Sequence, residues 1–201
     1  MGVYLIMLKV IGYKDLKFLD ENDTVINTTS RSDDFGKDLS PFFLGPCELY
    51  DGYISKNVEN GWQNSKVYAR FLDKDDNPTE EYFKWAKKGW NNNYAVRYPM
   101  GKGMKPAFSW WAGEKLTYVE ARKKIYIPLY AKAVQKHPSF AKLKNMYEIN
   151  VQTLREDLYL LDFDGYDHKE LGMTYDEVIN SEKKKMGHAF VLAMLLEKHI
   201  D

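Results

Sequence analysis

The apolar runs of this chain are short and far apart, and that spacing bounds its fold. Residues 3–10 are apolar and partly β-branched and read as a strand. Val25 and Ile26 begin another after the turn Glu21-Asn22-Asp23, and Leu158–Leu161 is a short buried strand that empties into Asp162-Phe163-Asp164-Gly165. Most of the remaining punctuation is helical. A helix is predicted over 58–72. The next has Asn77 as cap, Pro78 at its first position, Glu80 completing a capping box and Gly89 at its end, with Tyr82, Phe83 and Ala86 toward the core. Thr117 and Glu120 form another capping-box pair, opening a helix toward Gln135 that Pro128 should kink or break. A shorter helix follows Pro138 over 140–147, and a largely apolar one spans 186–199. Residues 27–57 read as irregular structure with short strands. Without strict βαβ alternation, the expected fold is a mainly helical α+β single domain over 1–201, in which 1–27 form an N-terminal strand and turn.

Composition narrows the partners. The 29 Lys and Arg balance 29 Asp and Glu, which removes bulk charge as an argument for nucleic acid or an anionic membrane, while a local basic cleft stays open. Aromatic residues make up 15% of the chain, most of them expected in the core and some available to stack on flat ligands. The single cysteine, Cys47, rules out a disulfide within the chain and reads as a small buried residue. The apolar run Val3–Leu8 is too short to span a bilayer and lacks a secretory pattern, and Ile6 stands where a myristoylation signal needs Ser or Thr. A cytoplasmic protein with no membrane partner is expected. Histidines 137, 168, 188 and 199 lack metal-ligand spacing, so neither metal nor cofactor is expected.

Four features have the residue types that chemistry needs. On the first predicted helix, Glu59, Trp62, Gln63, Lys66 and Arg70 share one face, either a solvated face or an acid–indole–amide–cation constellation. Asp162 follows an apolar strand, as a catalytic acid or as a turn residue. Arg97 and Met100-Gly101-Lys102-Gly103 form a flexible basic loop, a phosphate cradle or a solvated turn, and Gly187-His188 opens the terminal helix, a position that favours anions.

The segment Asn57-Val58-Glu59-Asn60-Gly61-Trp62-Gln63-Asn64-Ser65-Lys66 resembles the T-x-E-x-x-[FY]-Q-x-x-K signature of the NADAR family, the YbiA-like N-glycosidases, with Glu, Gln and Lys in register. Leu39-Ser40-Pro41-Phe42 is similar to that family's L-S-N-F segment, Trp110 or Trp111 to a mid-chain tryptophan, and Met186-Gly187-His188-Ala189 to its closing L-G-x-x-L-M helix. The departures include Asn57 for Thr and Pro41 for Asn. The resemblance implies a mostly helical domain whose cleft takes a ribose-phosphate or ADP-ribosyl group, and hydrolysis of an N-glycosidic bond. It implies Glu59 as principal catalytic carboxylate with Asp162 assisting. Ser40, Phe42 and Gly187 fall in its ligand-binding segments. Trp62 with Trp110 or Trp111 would wall the base or ribose, Gln63 would hold a hydroxyl or water, and Lys66, Arg97 and Lys102 would meet phosphate. The partner would be a small nucleotide or ADP-ribosyl conjugate, or nucleic acid bearing the modified base. Two other readings stand beside it: a module that binds such a nucleotide without turnover, and an interaction protein whose Trp90, Trp110 and Trp111 pack on a partner.

Overall fold

A computed structural model describes residues 8–153 and 157–201. In chain order the elements are β1 (Leu8–Ile11), β2 (Thr24–Asn27), β3 (Cys47–Glu48), β4 (Ile54–Ser55), α1 (Val58–Gln63), β5 (Lys66–Val67), α2 (Glu80–Trp90), β6 (Phe108–Trp111) and β7 (Glu114–Leu116). There follow α3 (Tyr118–Ala121), a π-helical turn (Arg122–Tyr126), α4 (Ile127–Val134), α5 (Pro138–Thr153), β8 (Leu158–Leu161), α6 (Tyr175–Asn180) and α7 (His188–Leu196). This is an α+β mixture of helices and short strands. It forms two compact units, residues 41–133 and the remainder of the chain on either side.

The flanking unit is built on a parallel sheet in the order β1-β8-β2, with Leu158 opposite both Leu8 and Thr24. The middle strand β8 is buried at every position, as a parallel strand covered on both faces must be, and so it reads as a continuous apolar run. Residues 8–27 provide both outer strands of this sheet, while residues 3–7 of the predicted first strand lie outside the described residues. Helix α7 packs on β1 and β8, and of His188–Leu196 only Leu195 escapes full burial. A helix apolar on all sides has its place in the core. Helix α6 was not expected from the sequence, although Thr174 and Glu177 cap it reciprocally.

In the same unit His168 is buried with its ring stacked on Tyr175 at 4.6 Å and edge-on to Phe190 at 5.7 Å, and its Nδ1 has no hydrogen-bond partner. Burial, helped by Lys169, lowers its pKa against the smaller opposing pull of Asp167 and Glu197. The unfolded chain therefore takes up a proton near pH 6.5 that the folded chain refuses, so this site makes stability fall as pH drops below that value. Urea midpoints measured across that window should fall less steeply for His168→Gln than for the parent.

The 41–133 unit gathers an aromatic core: Tyr50, Tyr68, Phe71, Tyr82 and Trp90 are buried, and Phe83, Trp85, Trp110 and Trp111 pack against them. The antiparallel sheet β5-β6-β7 pairs Lys66 with Ser109. The helix predicted over 58–72 ends at Gln63. Asn64 donates its side-chain amide to the Asn60 carbonyl (3.0 Å) and Ser65 its hydroxyl to that of Trp62 (2.8 Å). Such local bonds compete with helix propagation, and the chain turns into β5 at Lys66. Arg70 therefore leaves the Glu59 face and is exposed beside the Phe71 ring.

Helix α2 begins two residues later than its cap signal, because Pro78 bridges Leu72 and the Thr79 amide donates to the Phe71 carbonyl, so Thr79 takes the cap position. Gly89 lies inside the helix, which runs on to Trp90. The Thr117–Glu120 capping box forms in full. Pro128 does not break the helix that follows: the π-helical turn stands directly before it, with the Ile127 amide bonded to the carbonyl of Arg122, five residues back. The wider turn makes room for the proline ring where a regular helix would clash. After Pro138 the helix is longer than predicted, reaching Thr153. Cys47 is buried, as expected.

Candidate functional site

Helix α1 is only six residues long, yet each of its residues is buried, four of them polar or glycine: Glu59, Asn60, Gly61 and Gln63. Its start is closed from several sides. The Asn57 side chain accepts from the Asn60 amide at 2.8 Å, and the amides of Val58 and Glu59 donate to the carbonyls of Leu44 and Pro41. The segment carrying half-buried Phe42 is thus what receives the free amides of the helix.

Three side chains on the inner side of α1 and the start of β5 form one relay. Lys66 Nζ donates to Gln63 Oε1 at 2.7 Å, and Gln63 Nε2 donates to Glu59 Oε1 at 3.0 Å. The Lys66 ammonium also lies 4.6 Å from the Trp62 ring centroid, and Trp62 leans on Tyr126 at 5.2 Å. Glu59 retains 5% of its surface and Gln63 8%. A carboxylate held this deep must be paired or hydrogen-bonded. Here the amide of Gln63 bridges the acid and the ammonium, oriented by both. The first turn of a helix also favours the Glu59 charge. Such a carboxylate is fixed in position and suited to stabilise a developing cation or to activate water.

Asn60, on the same helix, does different work. Its Nδ2 donates to the carbonyls of Asn92 (3.0 Å) and Tyr94 (2.9 Å), and its Oδ1 accepts from the Val96 amide (2.9 Å). One fully buried amide therefore pins the loop that leads into Arg97. Arg97 is half-buried with its guanidinium 5.5 Å from the Tyr98 ring centroid, and Lys102 is exposed further along that loop. Trp110 and Trp111 alternate along β6. They pack into the aromatic core, Trp110 against Phe83 at 6.1 Å and Trp111 against Tyr50 at 5.0 Å.

Asp162, Gly187 and Ser40 belong to the other unit. Asp162 follows the central strand and is buried. Its Oδ2 accepts from the Ala189 amide at 3.0 Å and lies 2.9 Å from His188 Nδ1, while its Oδ1 accepts from the Asp164 amide at 3.2 Å. His188 Nε2 meets the Thr28 carbonyl at 2.7 Å. A carbonyl only accepts, so with carboxylate on one side and carbonyl on the other the imidazole carries a proton on each nitrogen. Burial raises the Asp162 carboxyl, but the His188 charge and the three hydrogen bonds outweigh it and hold its pKa at about 2. Gly187 is required by closeness: a Cβ there would lie 2.2 Å from Asp162 Oδ2. The whole is a buried clip that fastens the start of α7 to the ends of β8 and β2. Ser40 is buried at the end of the 3₁₀ turn Phe35–Leu39, its amide donating to the Lys37 carbonyl.

The structure thus brings Glu59, Trp62, Gln63 and Lys66 into direct contact, which the sequence spacing predicted. His188 and Asn60 have parts that spacing did not reveal. Nothing in the sequence ties position 188 to 162, and an asparagine in a helix gives no sign of the loop it will hold. Among the described residues no group of three or more His, Cys, Asp or Glu side chains is placed to hold a metal ion, and no helix is long and apolar enough to cross a membrane. No curated protein and no solved structure matches the chain. A family of unknown function, DUF6939, matches residues 12–172, well over half of the sequence, and the chain belongs to that family.

Proposed function

We propose that the chain is an N-glycosidase that hydrolyses a ribosyl N-glycosidic bond in a nucleotide or ADP-ribosyl conjugate. The observation that carries this reading is the Glu59–Gln63–Lys66 relay, whose Glu, Gln and Lys fall in register with the NADAR-like signature. Cleavage of such a bond passes through an oxocarbenium-like centre at C1′. Glu59 is the anion that stabilises this centre and orients the attacking water. The hydroxyl of that water ends on C1′ and its proton on the departing base nitrogen. Gln63 holds Glu59 in place, Lys66 offers the cation for a phosphate or ribose oxygen, and Trp62 gives a flat wall for the sugar or base.

A thermal-shift screen against ADP-ribose, NAD, ribose phosphates and guanosine conjugates tests the reading, with chromatography of every hit. At least one N-riboside should raise the melting temperature and be recovered as free base and sugar. A ligand that stabilises the protein but returns intact would replace the enzyme with a binding module. No stabilisation by any of them would overturn both.

A further inference from the structure

Three polar groups beside the last turn of α2 are left over after the fold has taken its hydrogen bonds. The first is on Asn64, which lies against Gly89: a Cβ there would meet its Oδ1 at 2.1 Å, so only glycine lets the helix approach so closely. Asn64 retains 2% of its surface. Its Nδ2 donates to the Asn60 carbonyl at 3.0 Å, which fixes the orientation of the amide, and its Oδ1 accepts from no described residue. An acceptor on so deeply buried a side chain normally has a donor. Asn92, just past the end of α2, is oriented in the same way, since its Oδ1 accepts from the Tyr94 amide at 3.0 Å and its Nδ2 donates to no described residue. The third is Lys88. One turn earlier Lys84 is held by Glu80 at 2.8 Å, whereas Lys88 takes part in no ion pair among the described residues.

Asn64, Asn92 and Lys88 line one cavity of about 250 Å³ together with Trp85, Val96 and Pro99. Asn60 also lines it, but its amide is fully committed, donating to the carbonyls of Asn92 and Tyr94 and accepting from the Val96 amide. Those bonds hold the loop side of the cavity in place. The other side is held by Trp85, which is backed by Phe71 at 5.1 Å and Tyr68 at 6.0 Å. The volume lies under the roughly 300–1,000 Å³ of pockets for drug-sized ligands and above the roughly 150 Å³ that accepts a benzene. It therefore suits one small ring system with a short substituent.

The leftover groups state what that substituent must be. One ammonium and one amide N–H match the two oxygens of a carboxylate, an amide oxygen asks for an N–H donor, and an indole beside Val96 and Pro99 favours a flat apolar body. We propose that this cavity of the 41–133 unit binds a small aromatic carboxylate with a ring N–H. The ring lies against Trp85, the carboxylate meets Lys88 Nζ and Asn92 Nδ2, and the N–H donates to Asn64 Oδ1. The site is independent of Glu59 chemistry.

Isothermal titration of the full chain tests this with indole-3-acetate, its uncharged amide indole-3-acetamide, and 1-naphthylacetate, which keeps ring and carboxylate but lacks the N–H. The parent should bind indole-3-acetate saturably, with Kd below about 1 mM. The amide and the naphthyl analogue should each bind about tenfold more weakly, because each leaves a group of the cavity without its partner. Lys88→Gln, a change on an exposed side chain, should weaken indole-3-acetate about tenfold and leave indole-3-acetamide as it was. Lys102→Gln, also exposed but outside the lining, should alter neither, which separates the site from general charge attraction. Glu59→Gln should bind as the parent does, which separates it from the glycosidase reading. Absence of saturable binding of indole-3-acetate overturns the proposal. So does equal affinity for either analogue, or a Lys88→Gln variant as tight as the parent.

Discussion

Asp162→Ala should cost the fold about 3–5 kcal/mol, the loss expected when one partner of a buried ion pair is removed. Asp162 and His188 are each nearly inaccessible, and the change leaves an imidazolium facing a methyl group and the Ala189 amide without its acceptor. Whole domains are stable by only about 5–15 kcal/mol, so the variant should be partly unfolded at body temperature. Chemical denaturation followed by circular dichroism measures this directly. The pH dependence has a definite sign. The Asp162 carboxyl is held at about 2 in the folded chain, below the roughly 3.9 of an unfolded aspartate. Its contribution is therefore complete above about pH 4 and is lost as pH falls toward 2. The parent should lose stability through that interval more steeply than the variant. A loss under about 1 kcal/mol would place the pair among ordinary surface contacts.

Glu59→Gln should lower kcat by about 10²- to 10⁴-fold while the protein stays folded. The two effects separate because the amide keeps an oxygen where Gln63 Nε2 donates, at 3.0 Å in the parent, so the relay retains its bonds and loses its charge. A truncation such as Glu59→Ala would confound them by opening a hole in a fully buried helix. Gln63→Glu provides a complementary test: a second carboxylate beside Glu59 forces one of the two to take a proton, and Lys66 would then pair with an acid. Activity should fall in that variant as well, with its pH profile displaced.

The helix punctuation at Thr117 and Glu120 and the apolar strand Leu158–Leu161 were legible because their signals are local: a hydroxyl and a carboxylate three residues apart, and a run with no polar residue. The spacing of Glu59, Gln63 and Lys66 was legible for a related reason, since one turn of helix followed by a short extension still brings them together. What failed was the length of that helix. The Asn64 and Ser65 side chains capture its last carbonyls, and residue periodicity carries no mark of that competition. The Asp162–His188 clip and the loop held by Asn60 were hidden for a different reason. They join residues 26 and about 32–36 positions apart, and contacts at that separation exist only once the chain has folded. Trp110 and Trp111 are half-buried, their type suits a ligand wall, and Phe83 and Tyr50 back one side of each.

Under the proposed function, Glu59 drives attack of water on a ribosyl C1′. Hydrolysis of an N-riboside by the parent in ¹⁸O-labelled water, followed by mass spectrometry of the sugar product, tests it most directly. One ¹⁸O should appear at C1 of the sugar, with an unlabelled free base and negligible turnover by Glu59→Gln over the same period. Intact substrate with the parent, or labelled sugar produced equally fast by Glu59→Gln, would contradict it.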